Sequence, residues 1–363
     1  MFRSLAIAFL LLVGSSTSFA ADADIDAILK GENQRAAWDR LVGRGPKILP
    51  SLLEAMDSKD TAAANWFRTA FDQIVDRELA AGGKAIDADL LLNYVKDAKH
   101  AGRSRRMALD VVDRLKPGTR DVMVSGWLSD PEFSFDAIAE IVIKAEKLPA
   151  DDAKKELQKA FAASRDIEQS KAVAAKLAKL GVQVSVIKHL GFVIDWHVIG
   201  PFDGKGGKSF TTAYPPEEKV DLTAELAGKT GMIKWIKLAG KETNAGRIGL
   251  MNLLPSLGTH HDAAAYAFTT IHVEEAIEAE FRGAADDHFS AWVNGKRVFG
   301  FEEYRNGVRH DRHRFKVKLN AGNNTILLKI GQAPFDASSP EANWEFLLRV
   351  VDVEGKGLAF TVK

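Results

Sequence analysis

Between residues 265 and 351 the chain repeats one pattern: short apolar segments of period two, each closed by a turn. Phe315, Val317 and Leu319 alternate with polar residues, and so do Trp344, Phe346, Leu348 and Val350 with their neighbours. Ile326, Leu328 and Ile330 keep the same period. Successive side chains on a strand point to opposite faces, so this spacing puts one apolar face on each strand. The predicted strands are 265–273, 276–282, 288–294, 314–319, 325–330 and 344–351. Turns are expected at Gly283, Asn294-Gly295, 320–323 and 354–357. At the centre Phe289, Ala291 and Val293 alternate with His288, Ser290 and Trp292. Asn294-Gly295 follows, two residues that tolerate the positive φ of a tight hairpin. Strands this short and this regular predict an antiparallel β-sandwich.

Upstream the period changes. Ile48, Leu49, Leu52, Leu53 and Met56 form a helical stripe that starts near Pro46. Asp60 is placed to cap the next helix, striped by Ala63, Trp66, Phe67, Ala70, Phe71, Ile74 and Val75 and ended by Gly82-Gly83. Met107, Ala108, Val111, Val112 and Leu115 mark another, stopped by Pro117-Gly118. Phe135, Ile138, Ala139 and Val142 mark a further one, and Val173, Leu177 and Leu180 the last. Trp38, Trp66 and Trp127 lie on these helices, either as core or as a partner-binding face. Lys154, Lys155 and Lys159 read as a solvated face. Residues 232–238 are expected to be one strand, with Ile233, Trp235 and Ile236 inward.

The chain therefore divides as a targeting segment (1–20), an all-α domain (21–181), a linker (182–190) and an all-β domain (191–363). Arg3, the apolar run 5–13 and the small-x-small site Ser18-Phe19-Ala20 carry the targeting reading. That run is too short to cross a bilayer, so export to the periplasm or beyond is expected, with no membrane span after cleavage. The 363 residues include no cysteine, which excludes disulfides, thiolate metal sites and cysteine nucleophiles. Lys+Arg and Asp+Glu are equal at 49 each, a balance unlike that of nucleic-acid-gripping proteins.

Certain residues carry a resemblance. DHFSAWVNGK at 287–296, VKLNAGNNTILLKI at 317–330 and WEFLLRVVDVEG at 344–355 resemble a galactose-binding-domain-like jelly roll. That fold recurs in carbohydrate-binding modules and in accessory domains of glycosidases. WHVIGPF at 196–202 and YPPE at 214–217 are similar to a pattern of exported multidomain proteins of planctomycete-type bacteria, in which helical repeats precede such a sandwich. The stretch 43–74 resembles one HEAT-type repeat, although the remaining helices keep no fixed period and an irregular bundle stays open. The resemblance implies a fold and no particular ligand.

The most polar stretch is 302–314, EEYRNGVRHDRHR, with four arginines, two histidines and a tyrosine. Two readings stand side by side: a ligand loop, or a solvated crossover whose charges pair among themselves. As a ligand loop it offers Tyr304 for stacking and Arg305, Arg309, His310 and His313 for acidic groups. Trp292 joins them if its strand face is open. A tyrosine, a histidine and an arginine converging there would suit a polysaccharide lyase. Glu302 and Glu303 are adjacent and point apart, which does not suit hydrolysis. No catalytic set, organic cofactor or G-x-S-x-G, H-E-x-x-H or P-loop motif is present. The loop DGKGGK at 203–208 has the wrong spacing for a phosphate loop. His260-His261-Asp262, with His310 and His313, is a weak zinc set, and Asp286 or Asp287 would serve a structural calcium or cap a turn. The expected function is carbohydrate binding by the sandwich, with a protein partner on the helices. The alternatives are a scaffold for protein assembly and an accessory to a lyase or hydrolase.

Overall fold

The computed structural model describes residues 22–240, 243–244, 247–338 and 343–363. The expected targeting segment lies outside them. The chain forms two compact units, the first ending at Gly126 and the second running from Trp127 to Lys363.

The first unit is helical: α1 Ala23–Lys30, α2 Gln34–Gly43, α3 Leu49–Ala55, α4 Thr61–Ala80, α5 Ala88–Lys96, α6 Gly102–Leu115 and α7 Thr119–Val124. Consecutive helices pack as pairs, α1 on α2, α3 on α4 and α5 on α6. Asp22, Asp60 and Asp87 cap α1, α4 and α5 by accepting first-turn N–H groups that have no helical partner. The predicted stripes of α3 and α4 are buried, except that Trp66 is half-buried, as is Trp38, whose indole N–H donates to Thr69.

The second unit opens with α8 Ser134–Ala145, α9 Ala150–Ala163, α10 Ile167–Lys179 and α11 Val186–Leu190. Here Trp127 is also half-buried, stacked on Phe133 at 4.6 Å. The stripe of α8 is offset from the expected one. Ser134, Ala137, Ile138 and Ile141 are buried, whereas Phe135 is 52% exposed. One residue is about 100° of rotation, enough to move a side chain off the packed face. Residues 182–190, expected as a linker, carry α11, and Val186, Ile187 and Leu190 are buried.

Two antiparallel sheets follow. Their strands are β1 Asp195–Asp203, β2 Glu225–Gly228, β3 Gly231–Lys234, β4 Ile236–Ala239, β5 Thr243–Asn244, β6 Arg247–Ile248, β7 Met251–Asn252, β8 Ala263–Val273, β9 Ile277–Ala285, β10 Phe289–Val293, β11 Lys296–Phe301, β12 His313–Leu319, β13 Gly322–Gln332, β14 Glu345–Val351 and β15 Thr361–Val362. The large sheet has the order β11-β10-β13-β8-β1-β4, with β15 also on β8, and the small sheet β12-β9-β14-β7. The period-two residues meet between them: Phe289, Ala291, Ile326, Leu328 and Ile330 pack against Phe281, Phe315, Val317, Phe346 and Leu348. The hairpin is as expected, with positive φ at both Asn294 and Gly295.

Both outer faces are covered as well. Ala284 and Leu347, on the far side of the small sheet, pack into a second core with Leu157, Phe161, Val186 and Leu190. On the far side of the large sheet, Ile199, Phe202, Tyr266, Trp292 and Leu327 lie under Tyr214 and Trp235. Two strand expectations need correction. Residues 232–238 are two strands broken at Trp235, and Ile236 is 37% exposed. Gly283 makes no turn; it pairs with His313 and Leu348 inside β9. A Cβ there would sit 3.0 Å from the Phe289 ring, so the glycine serves packing.

Candidate functional site

Most charges of the 302–314 segment find partners within the fold. His313 Nε2 donates to Glu303 at 3.1 Å, and Arg312 pairs with the same carboxylate. The His313 ring lies among Phe289, Phe299 and Phe301. His310 bonds the Ile248 carbonyl at 2.9 Å and meets Phe192 edge-on. Asp311 accepts from Arg282 and Arg349. Arg309 is exposed and has no hydrogen-bond or ion-pair partner among the described residues. The crossover reading therefore accounts for much of the segment, and His310, His313 and Arg309 do not gather at one point.

Tyr304 and Arg305 are brought together, and Asp287 is the reason. This carboxylate is 1% exposed and sits just before β10. Its Oδ1 accepts the Arg305 N–H at 2.6 Å and its Oδ2 the Ala333 N–H at 2.6 Å. One side chain thus ties the crossover to the segment after β13. Burial raises the pKa of Asp287, and the two N–H groups oppose that shift. Next to it, Asp286 is pushed up to about 6 by burial and by the charges of Asp287 and Glu345.

The tie forms one wall of an open cleft of about 520 Å³, lined by Tyr304, Arg305, Glu302, Gly207, Pro334, Phe335 and Asp336. Phe335 is 63% exposed, and its ring meets His261 edge-on at 5.1 Å. Arg305 Nη2 donates to the Pro334 carbonyl at 2.5 Å, and Nη1 lies 3.6 Å from Asp336. Tyr304 donates to Glu302 at 2.9 Å; burial and that carboxylate raise its pKa, so it stays a neutral hydroxyl. Such a tyrosine is a poor base. The His288 ring meets Tyr304 edge-on at 6.0 Å, but it is fully buried and bonded to Ser209, which keeps it from serving as a base in the cleft.

No sequence signal marks Phe335. A lone phenylalanine among polar residues has no period, although it is the one large apolar side chain in 333–338. Trp292 goes elsewhere: it is nearly buried in the outer cluster, with the Arg297 guanidinium 5.6 Å from its ring. It also borders a separate cleft of about 240 Å³ with Phe268 and Leu327.

The zinc fragment is used structurally. His260 bonds the Leu257 carbonyl, and Asp262 accepts the Gly206 and Gly207 N–H groups at 3.0 and 2.8 Å. The glycine loop 203–208 does cradle an anion, but that anion is Asp262 itself. Among the described residues no three or more His, Asp or Glu side chains gather as a metal site. No helix among them is long and apolar enough to cross a membrane.

Under the cover of the large sheet lies a buried polar row that no sequence pattern marks. Lys329, 1% exposed, donates to the carbonyls of Phe210 and Thr212 and to Glu217 at 2.8 Å; Tyr266 donates to the same carboxylate. His288 bonds Ser209 at 2.7 Å, and burial with the Lys329 charge pushes it down to about 3.

The class these features define is a helix-layered antiparallel β-sandwich with an aromatic- and arginine-lined cleft at a loop cluster. No protein-family model matches the sequence, and no curated protein matches it. Solved structures with a partial likeness include a family 35 carbohydrate-binding module from Clostridium thermocellum (23% identity, 24% of this chain and 69% of that one, TM-score 0.17). A PA14 sugar-binding domain from an RTX adhesin gives 18% identity over 28% of this chain and 50% of that one, TM-score 0.18. A β-glucuronidase from an uncultured Clostridium gives 10% identity over 45% and 29%, TM-score 0.25. Likeness at this level carries no statement about a ligand.

Proposed function

We propose that this protein is an exported, non-catalytic carbohydrate-binding protein whose sandwich holds a sugar in the Tyr304–Arg305–Phe335 cleft. The exposed Phe335 ring carries the reading: a large apolar side chain held open beside polar groups is what a sugar face needs. Glu302 and Asp336 supply acceptors for hydroxyls, and Arg305 and Tyr304 supply donors. The sandwich would then be a jelly roll of the galactose-binding type. The paired helices before Gly126 would be HEAT-like units that meet a protein partner; Leu90 and Val122, exposed on α5 and α7, favour that second role.

The test is a glycan array probed with the full chain, in calcium and in chelator; the two conditions also test the structural calcium expected at Asp286 or Asp287, against which stand the two N–H groups that already occupy both Asp287 oxygens. A saturable hit is expected, with affinity lowered about tenfold by Phe335→Ala at unchanged melting temperature. A hit untouched by Phe335→Ala places binding elsewhere. A blank array in both conditions transfers the proposal to protein assembly through the helices.

A further inference from the structure

On the outer face of the small sheet three arginines stand in one row. Arg314 on β12 pairs directly with Arg282 on β9, and Arg282 with Arg349 on β14. Like charges directly opposite each other across strands repel. One carboxylate answers all three: Asp311 lies 3.0 Å from Arg282, accepts Arg349 Nε at 2.6 Å, and is 3.8 Å from Arg314. Glu280 takes a second edge of Arg282 at 2.6 Å. These acceptors do not exhaust the donors. Arg349 is 2% exposed, and its buried Nη1 has no hydrogen-bond partner among the described residues. Arg314 donates no hydrogen bond among the described residues.

The row forms the floor of a cleft of about 510 Å³. Its other wall is Arg165 and the first turn of α10, Asp166 to Gln169. Arg165 pairs with Glu354 at 3.2 Å, but its buried Nε also has no hydrogen-bond partner among the described residues. Asp166 caps the Gln169 N–H, and Glu168 pairs with Lys171, so both wall carboxylates are engaged. The N–H groups of Ile167 and Glu168 belong to a helix turn without helical acceptors. At the rim stands the half-exposed ring of Phe135.

We propose that this cleft binds a sulfate or phosphate monoester, with the ring that bears the ester lying against Phe135. A planar carboxylate is served by one guanidinium fork. Here the donors come from a sheet floor and a helix wall, so a tetrahedral oxyanion meets them from two sides, with the exposed Arg314, held only by a 3.8 Å ion pair to Asp311, foremost among them. The site is separate from the Tyr304–Arg305–Phe335 cleft and does not depend on it.

The test is calorimetric titration of the full chain at low salt with inorganic sulfate, inorganic phosphate, galactose 6-sulfate, glucose 6-phosphate and neutral galactose. Saturable binding of at least one ester is expected, with none of galactose at this site. Sulfate- and phosphate-bearing probes compared with each other name the source of the ester. Arg314→Gln, an exposed change that leaves the floor packed, lowers ester affinity about tenfold. Phe135→Ala weakens the sugar esters and leaves the inorganic ions as they were. Lys316→Gln, an exposed charge removal on the same strand, changes nothing. Absence of binding by all four anions at millimolar concentration overturns the proposal, as does an Arg314→Gln protein that binds them like the parent.

Discussion

His288 and Asp286 lie two residues apart before β10, and burial pushes them in opposite directions. His288 titrates near 3 in the folded chain against 6.5 when exposed. Between those values the unfolded chain binds a proton that the folded chain refuses, so stability falls as pH falls through the window, by at most about 1.4 kcal/mol per pH unit. Asp286 titrates near 6 against 3.8. Over that narrower window the folded chain holds the extra proton, so its contribution rises as pH falls, weakened by the solvent that reaches it. The two oppose each other between about pH 4 and 6. Asp286→Asn removes one side of the balance. Its urea midpoint, measured at pH 6.5, 5 and 4, drops more steeply than that of the parent; parallel profiles would remove Asp286 from the account. The pair also explains a glycine. A Cβ on Gly331 would meet the His288 ring at 2.1 Å, so the imidazole fits because that position has none.

Among the elements, the cover of the large sheet is tied down by an ion pair whose ammonium is buried and whose carboxylate is half-buried. Lys329 on β13 holds Glu217, just ahead of β2, together with two carbonyls of the 203–220 segment. Burial lowers the pKa of Lys329 and Glu217 restores it in part. Removing Glu217 leaves a buried ammonium with carbonyls alone. Glu217→Ala should therefore cost about 3 kcal/mol by urea unfolding, and adding Lys329→Met should recover much of it. A Glu217→Ala protein as stable as its parent would mean that the cover is held by Tyr214 and Trp235 packing alone. None of this was legible in the sequence. Lys329 reads as the polar phase of a period-two strand, and in an exposed strand it would be. The sandwich strands were legible because each one's inner face is continuous: Phe315, Val317 and Leu319 mark it without ambiguity. Phe135 and Gly283 misled because helix phase and strand continuation are decided by neighbours distant in sequence. The candidate site was legible in part. Tyr304 and Arg305 stand out in a polar run, but their position beside Phe335 depends on Asp287, 18 residues upstream of Arg305.

At the scale of the molecule the change from helix to strand near residue 190 is not where the chain divides; the division falls after Gly126. The physical reason is the second core. Leu347 and Ala284 point away from the sandwich interior, and with Phe192, Leu250 and Val308 they are buried by Leu157, Phe161, Leu177, Val186 and Leu190. A fragment of 191–363 would leave that sheet face in water. Each large apolar side chain so exposed forfeits roughly 1.5–3 kcal/mol of burial, and two or three of them approach the whole stability of an ordinary domain. The same cut removes Arg165 and α10, one wall of the arginine cleft. Residues 127–363 should therefore be recovered as a monomer with a cooperative melt, whereas 191–363 should aggregate or bind a hydrophobic dye. Size-exclusion chromatography and calorimetry of the two fragments decide it. A monomeric 191–363 that melts like the longer fragment would show that the helices α8 to α11 rest on a sandwich that does not need them. In that case the apolar residues on the outer face of the small sheet would have to be tolerated in water.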